Sequence, residues 1–160
     1  MPKTSLLPPA LALILALPLA ASAEWSWIWA TRPDSDVVSL RREFEITGDV
    51  QEATLLAAAD NGATVLLNDR VVLTSTTWEQ AARADVRSQL KPGRNLLRAE
   101  ARNEGGPAGF VARLKVKLAD GKESVIETDT RWQAKAAGEG TWQTAKAVGR
   151  YGAEPWGDPM

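Results

Sequence analysis

Two residue types that carry much of protein chemistry are missing from this chain: it has no histidine and no cysteine. Without them, Ser-His-Asp and Cys-His nucleophilic catalysis are excluded in their usual forms. Ordinary zinc, copper and haem sites, which need imidazole or thiolate, are excluded as well. What remains is a carboxylate pair, a hard-cation site, or binding without chemistry. A carboxylate pair that cleaves a glycosidic bond must flank it at a separation of roughly 5–10 Å. Asp60 and Glu100 are the conceivable members. Asp60 stands in Ala59-Asp60-Asn61-Gly62, where Asp and Asn favour a turn by bonding their own backbone. Glu100 is expected to face solvent from a strand. The chain is therefore read as non-enzymatic.

Pro33-Asp34-Ser35-Asp36 offers two carboxylates to a cation, but it lacks the glycine and distal glutamate of a helix-loop-helix calcium loop. It is read as a solvated turn. No cofactor is expected; a structural calcium ion held by loop carbonyls would leave no mark in the sequence. Residues 103–109, Asn-Glu-Gly-Gly-Pro-Ala-Gly, have the wrong spacing for a phosphate-binding glycine loop, and no helix follows them. They are read as a wide hairpin connection whose glycines permit positive φ. The seven tryptophans, against one tyrosine and two phenylalanines, are the other resource. Indole serves a core and a sugar-binding surface equally, being large, flat and partly polar. Trp27, Trp29, Trp132 and Trp142, at strand positions, read as structural. Trp78, inside the polar run Thr74–Gln80, reads as functional, and Trp25 and Trp156 are left open.

The elements that must position these residues begin after a leader. Lys3, an apolar run from Leu11 to Leu19 and the small-x-small stretch Ala21-Ser22-Ala23 have the form of a secretory signal peptide over residues 1–23. The expected mature chain is a single domain, residues 24–160, secreted or periplasmic in a bacterium. The absence of disulfides fits that compartment better than a disulfide-dense animal secretion. Nineteen basic and twenty acidic residues give a net charge of −1 with no basic block, which excludes the electrostatic footprint of a nucleic-acid binder. No segment after Ala30 is apolar enough to span a bilayer.

The mature part reads as short strands between turn signals. Val38, Leu40, Phe44 and Ile46 alternate with Ser39, Arg41, Glu43 and Glu45, the pattern of a half-buried strand. Phe110, Ala112, Leu114, Val116 and Leu118 alternate in the same way with Arg113, Lys115 and Lys117. Asn68-Asp69 between two β-rich runs predicts a tight hairpin, and Lys91-Pro92-Gly93 a type II turn. The segment 79–90 matches both periods; it is read as a strand to about Val86 followed by one helical turn. Trp25, Trp27 and Trp29 at alternate positions predict one shared face, with Trp25 the one able to lie open. Phe44, Leu55, Leu97, Leu114 and Val116 are the expected core. The final ten residues look irregular. Many short strands without βαβ alternation mean a sandwich or barrel.

The stretches Trp27–Ala30, Arg41–Ile46, Ala53–Val72, Asp85–Leu114 and Thr128–Trp132 together resemble, in order and spacing, the galactose-binding-like modules of bacterial α-L-rhamnosidases and family 2 glycoside hydrolases. The closing Tyr151–Gly157 is similar to the segment that ends such modules. The resemblance implies an all-β, antiparallel jelly-roll β-sandwich of eight or nine strands. In it Asp60, Asn61, Asn68, Gly93, Asn95 and Asn103 are mainly turn and strand-end residues. It implies an accessory role beside an enzyme, although no catalytic region follows in this sequence. The expected function is an exported, non-catalytic carbohydrate-binding-like module, with a carbohydrate or a partner enzyme as its partner. The alternative is a structural or protein-interaction sandwich of the cell envelope, and a glycoside hydrolase comes third. The ligand residues expected from the loops are Trp78, Asp60, Asn61, Asn103 and Glu104, serving an uncharged sugar.

Overall fold

The computed structural model describes residues 24–160; the predicted signal peptide lies outside the described residues. Two antiparallel sheets pack face to face. The first contains β1 (Ser26–Trp29), β3 (Val50–Asp60), β6 (Ala82–Asp85), β8 (Gly109–Leu118), β9 (Glu123–Glu127) and β12 (Lys146–Arg150). Its strand order is β12-β1-β8-β3-β6, with β9 also paired to β8. The second contains β2 (Val37–Ile46), β4 (Gly62–Leu67), β5 (Arg70–Ser75), β7 (Gly93–Arg102), β10 (Gln133–Ala136) and β11 (Gln143–Thr144). Its order is β11-β10-β2-β7-β4-β5. The chain passes between the sheets repeatedly, as in a jelly roll, and the expected antiparallel sandwich is the observed one. It has twelve strands among the described residues rather than eight or nine, five of them, β6 and β9 to β12, being short segments at or near sheet edges.

The alternation read from the sequence builds the core. Val38 and Leu40 of β2 and Leu97, Ala99 and Ala101 of β7 face Leu55, Ala57 and Ala59 of β3 and Ala112, Leu114 and Val116 of β8. All are buried. Period two places every second side chain inside, and both sheets obey it. Of the expected core, Leu55, Leu97, Leu114 and Val116 are buried, but Phe44 is only half-buried. Phe44 packs against the edge of the core, whereas Ile46, two residues further along β2, is buried again.

Turn chemistry fixes the register. Asn68 and Asp69 adopt φ of 50° and 66°, joining β4 to β5 in the two-residue hairpin that the right-handed twist of strands favours. Gly93 takes φ of 82°, as the type II turn requires. The buried Asn95 side chain accepts from Lys91 N at 3.1 Å and donates to Lys91 O at 2.8 Å, bracing that turn from within. Segment 79–90 resolves into β6 and a 3-10 turn at Arg87–Gln89, with Val86 buried between them.

Two expectations fail on topology. The loop 103–109 is not a hairpin connection, since β7 and β8 belong to different sheets and the loop crosses the end of the sandwich. Its Gly105 and Gly106 do take positive φ. The alternate tryptophans of β1 do not share a face either. A bulge between Trp27 and Ile28 shifts the register against β12. The unpaired extra residue is Val148 of β12, which faces the Trp27–Ile28 step. Trp29 enters the main core, while Trp27 packs on the outer surface of the first sheet with Trp25 beside it.

Candidate functional site

The loops predicted to hold a ligand meet at one end of the sandwich. Asn61 donates its backbone N–H to Arg102 O at 2.7 Å, and its side-chain Oδ1 accepts from Glu104 N at 2.7 Å. Asn103 donates N–H to Asp36 O at 2.8 Å, and its Oδ1 accepts from Gly105 N at 3.3 Å. Asn61, Asn103 and Glu104 thus come together. The two asparagines bind the protein's own backbone, the turn and strand-end role that the resemblance implied. The Glu104 carboxylate stays exposed, 3.9 Å from the Arg102 guanidinium.

Asp60 turns the other way. Its carboxylate is buried and accepts a hydrogen bond from the Trp156 indole N–H at 3.0 Å. Glu100 lies on the outer surface of the second sheet, where it accepts from Ser39 Oγ at 2.6 Å. Asp60 and Glu100 therefore face opposite sides of the sandwich and form no catalytic pair. Trp78 is half-buried against the outer cluster of Trp27, Ala58, Val111 and Trp156. It is joined to Asp60 through Trp156 rather than placed over the asparagines.

That cluster is built by the irregular C-terminal residues, which form an ordered strap. Tyr151 N–H bonds Trp25 O at 3.1 Å, and Ala81 N–H bonds Pro159 O at 2.9 Å, tying both ends down. Trp156 lies over two glycines. A Cβ at Gly109 would come within 3.0 Å of its ring, and one at Gly149 within 2.8 Å. Small residues occur there because the indole occupies the space. Trp25 stacks on Tyr151 with ring centroids 3.4 Å apart and holds the Arg113 guanidinium 3.7 Å from its own centroid. Trp25 is accordingly half-buried rather than open.

Beside the strap, the same face carries a groove of about 560 Å³ lined by Arg83, Arg113, Lys115 and Lys117. Much of this charge is answered locally: Arg113 pairs with Glu127 at 2.7 Å and Lys117 with Glu52 at 3.5 Å. Near the crossover to β10, Asp129 is buried and binds Arg131, whose pKa that hydrogen bond raises. Arg42 shifts the opposite way, lowered first by burial and then by the Arg131 charge, and donates to Arg131 O at 2.8 Å. These charges hold a strand crossing in place. No group of three or more metal-ligating side chains gathers among the described residues. No helix among them is long and apolar enough to cross a membrane.

Sequence reasoning sorted most tryptophans correctly: Trp27, Trp29 and Trp132 are buried. It misjudged Trp142, which belongs to neither apolar cluster and lies on the outer surface of the second sheet. An extended segment had suggested burial, but Trp142 stands just before β11 (Gln143–Thr144), and nothing local in the sequence marks which side it presents.

No protein-family model matches the chain, and no curated protein matches it. Solved structures do. A Streptomyces avermitilis α-L-rhamnosidase complexed with L-rhamnose matches with a TM-score of 0.76 at 26% identity, covering 85% of this chain and 17% of that one. A Pleurotus ostreatus lectin in complex with GalNAc matches at 0.74 and 27%, covering 85% of this chain and 45% of the lectin. A family 78 rhamnosidase from Bacillus sp. GL1, at 20% identity and 0.70, supports the fold alone. The chain spans less than half the length of each of these proteins. The resemblance to rhamnosidase modules is borne out: this chain is similar to a β-sandwich module found within α-L-rhamnosidases and within a lectin.

Proposed function

We propose that this protein is an exported, non-catalytic carbohydrate-binding module. The observation that carries the reading is its likeness, over 85% of its length, to a lectin solved with GalNAc. The rhamnosidase complexed with L-rhamnose points to the same ligand class. The separation of Asp60 and Glu100 to opposite faces supports a role without glycoside cleavage. Export follows from the leader-like residues 1–23, and a carbohydrate or a partner enzyme is the expected companion.

One observation favours a second reading, a structural or protein-interaction sandwich of the cell envelope. Trp27, Trp29, Trp132 and Trp156 are all spent on packing. A glycan array followed by calorimetric titration with L-rhamnose, GalNAc and linear oligosaccharides separates the two. Saturable binding supports the module; a flat response across the panel favours the interaction domain. Intact mass of the secreted protein should correspond to a chain starting at Glu24, and a mass retaining residues 1–23 would overturn cleavage.

A further inference from the structure

Resting on that reading, we infer that the ligand is a linear, neutral oligosaccharide bound across the outer face of the second sheet, not at the loop end. Six tryptophans pack in or against an apolar cluster; among the described residues, Trp142 joins neither. Its partners are cations. The Arg41 guanidinium lies 4.2 Å from the ring centroid and Lys135 Nζ 5.1 Å. Both side chains rise from the sheet, so the face they occupy is the one turned towards it. Arg41 Nε is held by Gln133 Oε1 at 2.8 Å, which steadies the support under the indole. A ring held at a surface by cation–π contacts, and not sunk in a core, suits stacking against a sugar face.

From this indole a row of polar side chains crosses the sheet. Strand pairing sets Lys135 beside Ser39, Ser39 beside Glu100, Glu100 beside Thr64, and Thr64 beside Thr74. All five stand on the solvent side, since their strand neighbours Val38, Leu40, Ala99, Ala101, Val65, Ala134 and Ala136 fill the core. Ser39 Oγ donates to Glu100 at 2.6 Å, and the lone pairs left on that pair together with the hydroxyls of Thr64 and Thr74 answer the mixed hydrogen bonding of sugar hydroxyls. The row spans five strands, and at about 4.8 Å between neighbours its ends are ~19 Å apart. That is the reach of a short linear oligosaccharide. At the end away from Trp142, a groove of about 320 Å³ opens between Thr64, Thr74, Glu100 and Arg102. Its size is that of a small-ligand site. An aromatic plate at one end, a groove at the other and a balanced polar row between them select length rather than charge. At the loop end the Asn61 and Asn103 side-chain oxygens accept from backbone N–H groups, and among the described residues no aromatic plate lies beside them.

The test titrates the full chain with cello-, xylo-, manno- and laminaritetraose, and with L-rhamnose and GalNAc as monosaccharide controls. A tetraose should bind more tightly than either monosaccharide. Trp142→Ala and Glu100→Gln should each weaken it by about tenfold, ~1.4 kcal/mol, with the melting temperature unchanged. If binding persists in both variants, or is lost with Trp78→Ala instead, this site is overturned while the carbohydrate reading stands. If no sugar binds the unaltered protein, both fall. Should Trp142→Ala fail to fold, amide shifts on titrating the unaltered protein decide the matter. Perturbation at Ser39, Thr64 and Thr74 supports the site, and perturbation confined to the loop end overturns it.

Discussion

The two outer faces of this sandwich use aromatic residues in opposite ways. On the first sheet, Trp27 and Trp156 stack with centroids 4.8 Å apart, and the strap from Tyr151 to Met160 closes over them. On the second, Trp142 rests on Arg41 and Lys135 with no segment of chain packed over it in an apolar cluster. The first face is a second core, built from glycines that admit an indole and a tail that seals it. The second is a polar surface with one aromatic plate. The comparison teaches that a tryptophan's role here is decided by what the chain lays over it, and not by its being on a strand.

Substitutions can break this contrast at graded cost. Trp156→Ala removes the centre of the sealed face and should cost about 3–5 kcal/mol, read as a fall in melting temperature; a loss below ~1 kcal/mol would make the strap an ornament. Leu114→Ala probes the core that both faces share and should cost roughly 2–5 kcal/mol, whereas a change under about half a kilocalorie would overturn the inner face of β8. Gly149→Ala drives a methyl into the Trp156 ring, and denaturant unfolding should register about 1–3 kcal/mol of overpacking. Trp142→Ala is the smallest expected effect, below about 1 kcal/mol, because only exposed cation–π contacts are lost. A large loss there would make Trp142 a packing residue and erase the difference between the faces.

Much of the fold was legible because period-two alternation is a local signal. The strands carrying Val38, Leu40, Leu114 and Val116 could be assigned an inner face directly, and Asn68-Asp69 and Lys91-Pro92-Gly93 announced their turns. Phe44 was placed too deep because alternation gives the side of the sheet a residue faces and not how fully distant segments cover it. Trp27 and Trp29 were rightly expected to be buried but not to lie on different sides of the sheet, because strict alternation assumes a regular strand pairing and β1 meets a bulge in β12. Of the candidate site, Asn61, Asn103 and Glu104 do meet, but Asp60 and Trp78 turn to the strap, an element 50 or more residues away in the chain.

The sequence by itself determined the class of chemistry. A chain without histidine or cysteine has no imidazole or thiolate to offer, and its alternating apolar positions specify a β-rich body. Tertiary structure alone decided where its carboxylates go. Asp60 and Glu100 sit on strands of different sheets, and the direction of each side chain follows from register and from which side the core occupies. The same long-range pairing aligned Lys135, Ser39, Glu100, Thr64 and Thr74, drawn from five strands, into one row. No local spacing encodes that row, because hydrogen bonds between distant segments create it.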